Sequence, residues 1–226
     1  MRRLVRAVAA LLVLSGAVVL GVQGWQLLVV TPRAADAQAE AARAVSADWS
    51  RRAPTPSAAP TIPVRAEPTT DGATIAVIRV PRFGRDWSRV VRQGVDEAEV
   101  LNSVTAGVGH YVHTAMPGAV GNFAIAGHDT GWGNAFLHVA DLRVGDRIVV
   151  QTADGWYTYR FRNLQWVLPT ATQVLEPVPG RPGVRAAQRL ITLTTCDPPY
   201  DAKERLIAYG LLQAFRPTAD GPPPGL

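Results

Sequence analysis

The sequence holds one cysteine, Cys196, in the stretch ITLTTCDPPYDAKER, and four histidines, at 110, 113, 128 and 138. A thiol attacks only as thiolate, so near neutral pH it needs a base, and attack on a carbonyl needs a donor for the oxyanion that forms. The chain offers candidates for both. His128 ends the run NFAIAGH directly after Gly127, and Arg205 opens RLIAYGLLQAF nine residues after Cys196. Taken singly, each has a blander reading: a lone cysteine is more often an inert buried apolar group, and a lone histidine a hydrogen-bonded structural one. One cysteine excludes an intramolecular disulfide, and a free thiol is a liability in an oxidising compartment, which favours a chemical role. His110 and His113 have a spacing that can bind a metal, but no acid or third histidine stands close enough in sequence to complete a zinc motif.

These residues need strands to hold them. ATIAVIRV at 73–80, NFAIAG at 122–127, DRIVVQT at 146–152, RLITLTTC at 189–196 and RLIAYGLLQAF at 205–215 are short, β-branched or apolar runs bounded by turn residues. ADG at 153–155 is a hairpin signal leading into WYTYRFRNLQWVL, where a period of two puts Tyr157, Tyr159 and Phe161 on one face and Thr158, Arg160 and Arg162 on the other. An antiparallel pairing of the strands that hold Cys196 and Arg205 would bring both to the same end of a sheet. Helical segments are expected to be short, one over 87–100 and one over 134–142. Many short strands with few helices predict a closed or nearly closed β-barrel, or a sandwich, over 73–216.

The ends of the chain differ from this middle. Arg2, Arg3 and Arg6 precede an uncharged apolar stretch from Ala7 to Val30. About 20 residues cross a bilayer as helix, whereas a cleavable signal has an apolar region of roughly 7 to 15, so residues 1–32 read as a cytoplasmic end and a transmembrane anchor. The leading arginines place the N-terminus in the cytoplasm and the rest of the chain outside. The alternative is a signal peptide cut near Ala35 or Ala37. Residues 33–72, with five prolines from Pro54 to Pro68, predict an extracellular linker, and 217–226, ending GPPPGL, a disordered tail. The formal charge of +5 comes from arginines interleaved with acids in runs no longer than two, which argues against nucleic acid as a partner.

The combination of motifs resembles the sortase family. TLTTC at 192–196 is similar to the sortase TLxTC motif, Gly127-His128 to its strand-end histidine, and Arg205 to the arginine on the strand after the cysteine. VPRFGRDWSRVV at 80–91, GHYVHTAMPGAVGNFAIAGH at 109–128 and LRVGDRIVVQTADGWYTYRF at 142–161 resemble the class E sortases of actinobacteria. The chain departs from that class at Asp197-Pro198, where an HP pair is usual, and at Asp129, where an arginine is usual.

The resemblance implies an all-β fold, a closed eight-stranded barrel with short helices behind an N-terminal transmembrane helix. It implies a cysteine transpeptidase acting outside the cell on secreted proteins that carry a C-terminal sorting signal of LAxTG or LPxTG type. Cys196 would form a thioacyl enzyme with the signal's threonine, and a peptidoglycan-precursor amine would release the product. His128 would serve as acid and base, Arg205 as oxyanion donor, and Thr195 would help position the substrate. If the Tyr111 hydroxyl lies in the substrate groove, it can accept the amide hydrogen of alanine at the signal's second position, which proline lacks; the alternative reading is a tyrosine that packs at a strand end. No metal or organic cofactor is implied. Glu97 and Glu99 form no evident calcium cluster. A secreted thiol hydrolase built on the same three residues, and a wall-binding β-domain with a spectator thiol, are the competing readings.

Overall fold

The computed structural model describes residues 2–52 and 62–226. Two helices lead the chain: α1, Arg2–Trp25, runs through a five-residue π-helical stretch, Gln26–Val30, into α2, Thr31–Arg51. The segment that contains α1 is long and apolar enough to cross a membrane, and none of α1 is buried against the rest of the protein.

Eight strands follow: β1 Thr74–Arg79, β2 Ser88–Gln93, β3 Gly107–His110, β4 Gly121–Gly127, β5 Arg147–Gln151, β6 Gly155–Val167, β7 Arg189–Asp197 and β8 Glu204–Pro217. They close into a barrel in the order β1-β2-β3-β4-β7-β8-β6-β5. The period-two reading of β6 holds, with Tyr157, Tyr159 and Phe161 in the core beside Phe123, Ile148 and Leu193. Two neighbouring pairs are parallel, β2 with β3 and β4 with β7. The second of these matters for chemistry, because parallel strands finish at the same rim.

Four expectations change. Residues 87–100 are not one helix: β2 occupies 88–93, and the helical part is the five-residue π-helical turn Glu97–Leu101. The strand was hidden because both its faces are covered, Val91 by the barrel core and Val90 by helix α2, so no polar face marks the alternation. Likewise 134–142 contains only a 3-10 turn, Val139–Asp141. The third change concerns the linker over 33–72. Its first part, up to Arg51, lies in α2, which buries Ala34, Gln38 and Ala42, one residue per turn. That stripe, small at Ala34 and Ala42, lets the helix lie close on the barrel, with Ala42 against Val77 and Val90. The prolines from Pro54 to Pro60 lie outside the described residues. At the other end, the expected disordered tail starts docked: buried Thr218 donates its hydroxyl to the carbonyl of Ala153 at 3.0 Å, and Arg147 donates to that of Pro224 at 2.7 Å.

Candidate active site

β7 and β8 pair antiparallel, with Cys196 directly opposite Arg205. β4 and β7 pair in parallel, with Ala126 beside Thr194. Continuing that register by two residues sets His128 beside Cys196, and the Thr195 hydroxyl closes the step by donating to the Gly127 carbonyl at 2.8 Å. Because Ile191, Leu193, Leu206 and Ala208 fill the core, the alternate residues Thr194, Cys196, Arg205 and Ile207 belong to the outer face. His128, Cys196 and Arg205 therefore form one row across three strands at one rim, each half-buried.

Local packing fixes the row. A Cβ at Gly127 would come within 2.9 Å of the Phe136 ring, so glycine before the histidine lets that ring pack beneath. The Phe136 amide then donates to the His128 carbonyl at 2.8 Å, folding the following loop back. The imidazole donates from Nε2 to Oδ1 of Asn102 at 2.9 Å, which leaves Nδ1 of the neutral ring as the basic nitrogen. Asn102 was not foreseen. It follows a short helical turn 26 residues before the histidine and outside the quoted motif blocks, and only the meeting of β3 with β4 brings its loop to the histidine. Arg205 donates from Nη1 to the carbonyls of Ala202 and Glu204, each at 3.0 Å, so Nε and Nη2 keep donors for another acceptor.

Burial pushes the Cys196 thiol above its ordinary range, opposed by the Arg205 charge and reinforced by Asp129 and Glu97. Burial pushes His128 down, opposed by Glu97 and Asp129. The resting pair is thus a neutral thiol and a neutral imidazole, and the thiolate with imidazolium is its minor tautomer.

The other predicted residues fall as follows. Thr195, expected to help position the substrate, is 4% exposed with its hydroxyl spent on Gly127; it ties β7 to β4 beside Cys196. Tyr111 leaves β3 and brings its hydroxyl within 3.0 Å of the Thr194 hydroxyl, one row from Cys196. Thr194 itself donates to the Ile125 carbonyl at 3.3 Å, so Tyr111 is the donor of the pair and its oxygen is still able to accept. His110 is fully buried and His113 exposed, with side-chain exposures of 0% and 91%, and each brings Nδ1 to the edge of the Glu67 carboxylate, at 4.0 Å and 3.9 Å. Among the described residues no group of three or more His, Cys, Asp and Glu side chains is gathered as a metal site.

The sortase domain family matches residues 78–213, a span that includes all three residues of the row. The chain belongs to the sortase family. Sortase SrtE1 of Streptomyces coelicolor is 32% identical over 98% of this chain, which spans 60% of that protein's length. Sortase SrtE2 of the same organism is 31% identical over 88% of this chain and 78% of its own. Among solved structures, sortase E1 of Streptomyces coelicolor, with a tripeptide in its active site, superposes with a TM-score of 0.62 at 35% identity, covering 68% of this chain and 96% of that one. The SrtA sortase of Actinomyces oris gives 0.66 at 32% identity, covering 73% and 92%. The class E resemblance read from the motifs and the closed eight-stranded barrel both agree with these relatives.

Proposed function

We propose that this sortase is a membrane-anchored transpeptidase that joins secreted proteins bearing a C-terminal LAxTG or LPxTG signal to a peptidoglycan-precursor amine. The observation that carries this reading is the single row of imidazole, thiol and guanidinium at one barrel rim. The Cys196 sulfur bonds to the threonine carbonyl carbon, and the carbonyl electron pair moves onto oxygen, where free donors of Arg205 meet it. On collapse the Thr–Gly bond breaks, and imidazolium at His128 gives its proton to the departing glycine amine. The acceptor amine then attacks the thioester, His128 takes the amine's proton, and the thiolate leaves. Helix α1 anchors the chain, with Arg2, Arg3 and Arg6 on the cytoplasmic side and residues from 33 onward outside. No cofactor enters any step.

Mass spectrometry of the full chain incubated with a sorting-signal peptide tests this directly. A thioacyl adduct should form on Cys196, disappear in Cys196→Ala, and resolve to a ligated product when an amine is added. Resolution only to free acid would make the protein a hydrolase, and no adduct would overturn the reading. The rate of adduct formation should be a broad bell in pH. Its acid limb should lie below the usual histidine range and its alkaline limb above the usual thiol range, because the minor reactive tautomer has the same net charge as the neutral pair.

A further inference from the structure

Helix α2 carries one fully buried polar side chain, Gln38, with 0% exposure. Its Nε2 donates to two backbone carbonyls, those of Ser103 and Trp132, each at 2.8 Å. Ser103 follows Asn102, the hydrogen-bond partner of His128, and Trp132 lies in the loop that leaves His128. One amide therefore bridges the two segments that meet at the His128–Asn102 hydrogen bond.

The slot for this amide is built by glycine. Gly107 and Gly133 face it with φ of +80° and +89°, and a Cβ on either would fall 2.6 Å or 2.5 Å from the Gln38 amide. Both angles are ones that L side chains rarely adopt, so each glycine supplies the room and the backbone conformation together. The turn at Gly133 is held from another side as well, where Arg89, itself buried, donates to the Gly133 carbonyl at 3.0 Å. The amide is retained at a cost: Gln38 Oε1 is buried and has no hydrogen-bond partner among the described residues. A leucine would fill similar volume without a stranded oxygen but would take the donor from the Ser103 and Trp132 carbonyls, so hydrogen bonding and not packing alone accounts for a glutamine here. What glutamine adds is the pair of donors. Ala34 and Ala42, one turn to either side on the buried stripe, are too short to reach.

Resting on the transpeptidase reading, we propose that Gln38 is a positioning residue for His128, through which the helix continuing from the apolar segment braces the catalytic rim. Gln38 lies eight residues beyond Val30, about 12 Å along the helix axis. The base of the reaction is thereby tied to the chain close to where it leaves the apolar helix.

The test uses the full chain in detergent micelles, comparing the native protein with Gln38→Leu and Gln38→Glu. Leucine removes both donors and keeps the volume; glutamate places an acceptor against two carbonyls. Turnover of the sorting peptide should fall about 10-fold to 100-fold in both, the scale expected when a reacting group is misplaced by about 1 Å, while KM for the peptide is unchanged. The acid limb of the rate profile should move up in pH, towards the ordinary histidine range, as His128 loosens from its buried setting between Glu97, Asp129, Cys196 and Arg205. Amide hydrogen exchange over 102–106 and 128–134 should quicken, a reading that needs no substrate. Native turnover with an unshifted acid limb in folded Gln38→Leu would overturn the proposal, as would a loss explained wholly by unfolding, with unchanged exchange in the folded fraction. Failure of the native chain to form the Cys196 adduct would instead overturn the transpeptidase reading, and the exchange comparison would still report on the brace.

Discussion

Two histidines on adjacent strands of the barrel meet opposite fates. His110, at the end of β3, is fully buried and stacked on Phe123 with ring centres 5.2 Å apart. Its Nδ1 lies 3.0 Å from Oε1 of Gln93, and its Nε2 lies 2.9 Å from the hydroxyl of Thr114 and 3.3 Å from the carbonyl of Ala115. His128, just past the end of β4, is half-buried and bonds through Nε2 alone. Burial lowers the pKa of both, so titration does not separate them. Saturation does: a ring with both nitrogens engaged is a structural part, and a ring with one held and one open can exchange a proton with a substrate.

The comparison breaks most sharply by substitution. His128→Ala should lower turnover by about 100-fold to 10,000-fold, the range for a general acid and base, with the fold intact. His110→Ala should leave turnover per folded molecule nearly unchanged and cost about 1 to 3 kcal/mol in stability, since Gln93 loses a buried partner. Steady-state rates and urea unfolding of the two variants would decide it; the reverse pattern would move the chemistry to His110. The neutral, buried His110 also makes stability fall with falling pH, because the unfolded chain takes up its proton first. His110→Ala should lose that part of the acid sensitivity.

A smaller effect sharpens the same contrast on the Arg205 side of the row. Lysine keeps the charge but not the planar fork, so Arg205→Lys should be nearly as slow as Arg205→Ala if directed hydrogen bonding to the oxyanion is the role. Full rescue by lysine would reduce the role to charge alone. The smallest effect concerns Tyr111. If its free oxygen lone pair accepts the amide of alanine in LAxTG, which proline cannot donate, the native preference for alanine over proline should be about twofold to twelvefold, matching roughly 0.5 to 1.5 kcal/mol. Tyr111→Phe should shrink that ratio towards unity while leaving adduct formation at Cys196; an unchanged ratio would remove Tyr111 from specificity.

Much of the barrel could be read from the chain because six of its strands show the local signs of strands, whether β-branched runs, alternation or bounding turn residues. The pairing of Cys196 with Arg205 was legible for a related reason. Their strands are consecutive, joined by a short loop, and so antiparallel neighbours by default. β2 and β3 stayed hidden: the first is covered on both faces, and the second has only four residues, two of them glycine.

The amino-acid sequence by itself determined which side chains could do the chemistry, a lone thiol, a strand-end imidazole and a guanidinium, and that an apolar segment precedes them. Residue type and local periodicity carry that information, and neither depends on distant contacts. Tertiary structure alone decided that His128 joins the other two, because the parallel pairing of β4 with β7 links strands separated by the whole of β5, β6 and their loops. It alone decided that Asn102 holds the imidazole, that the Thr195 hydroxyl faces Gly127, and that the helix after the apolar segment docks on the barrel through Gln38. Each of these rests on a hydrogen bond between residues that only the closure of the sheet brings within reach, and no pattern along the chain encodes such a distance.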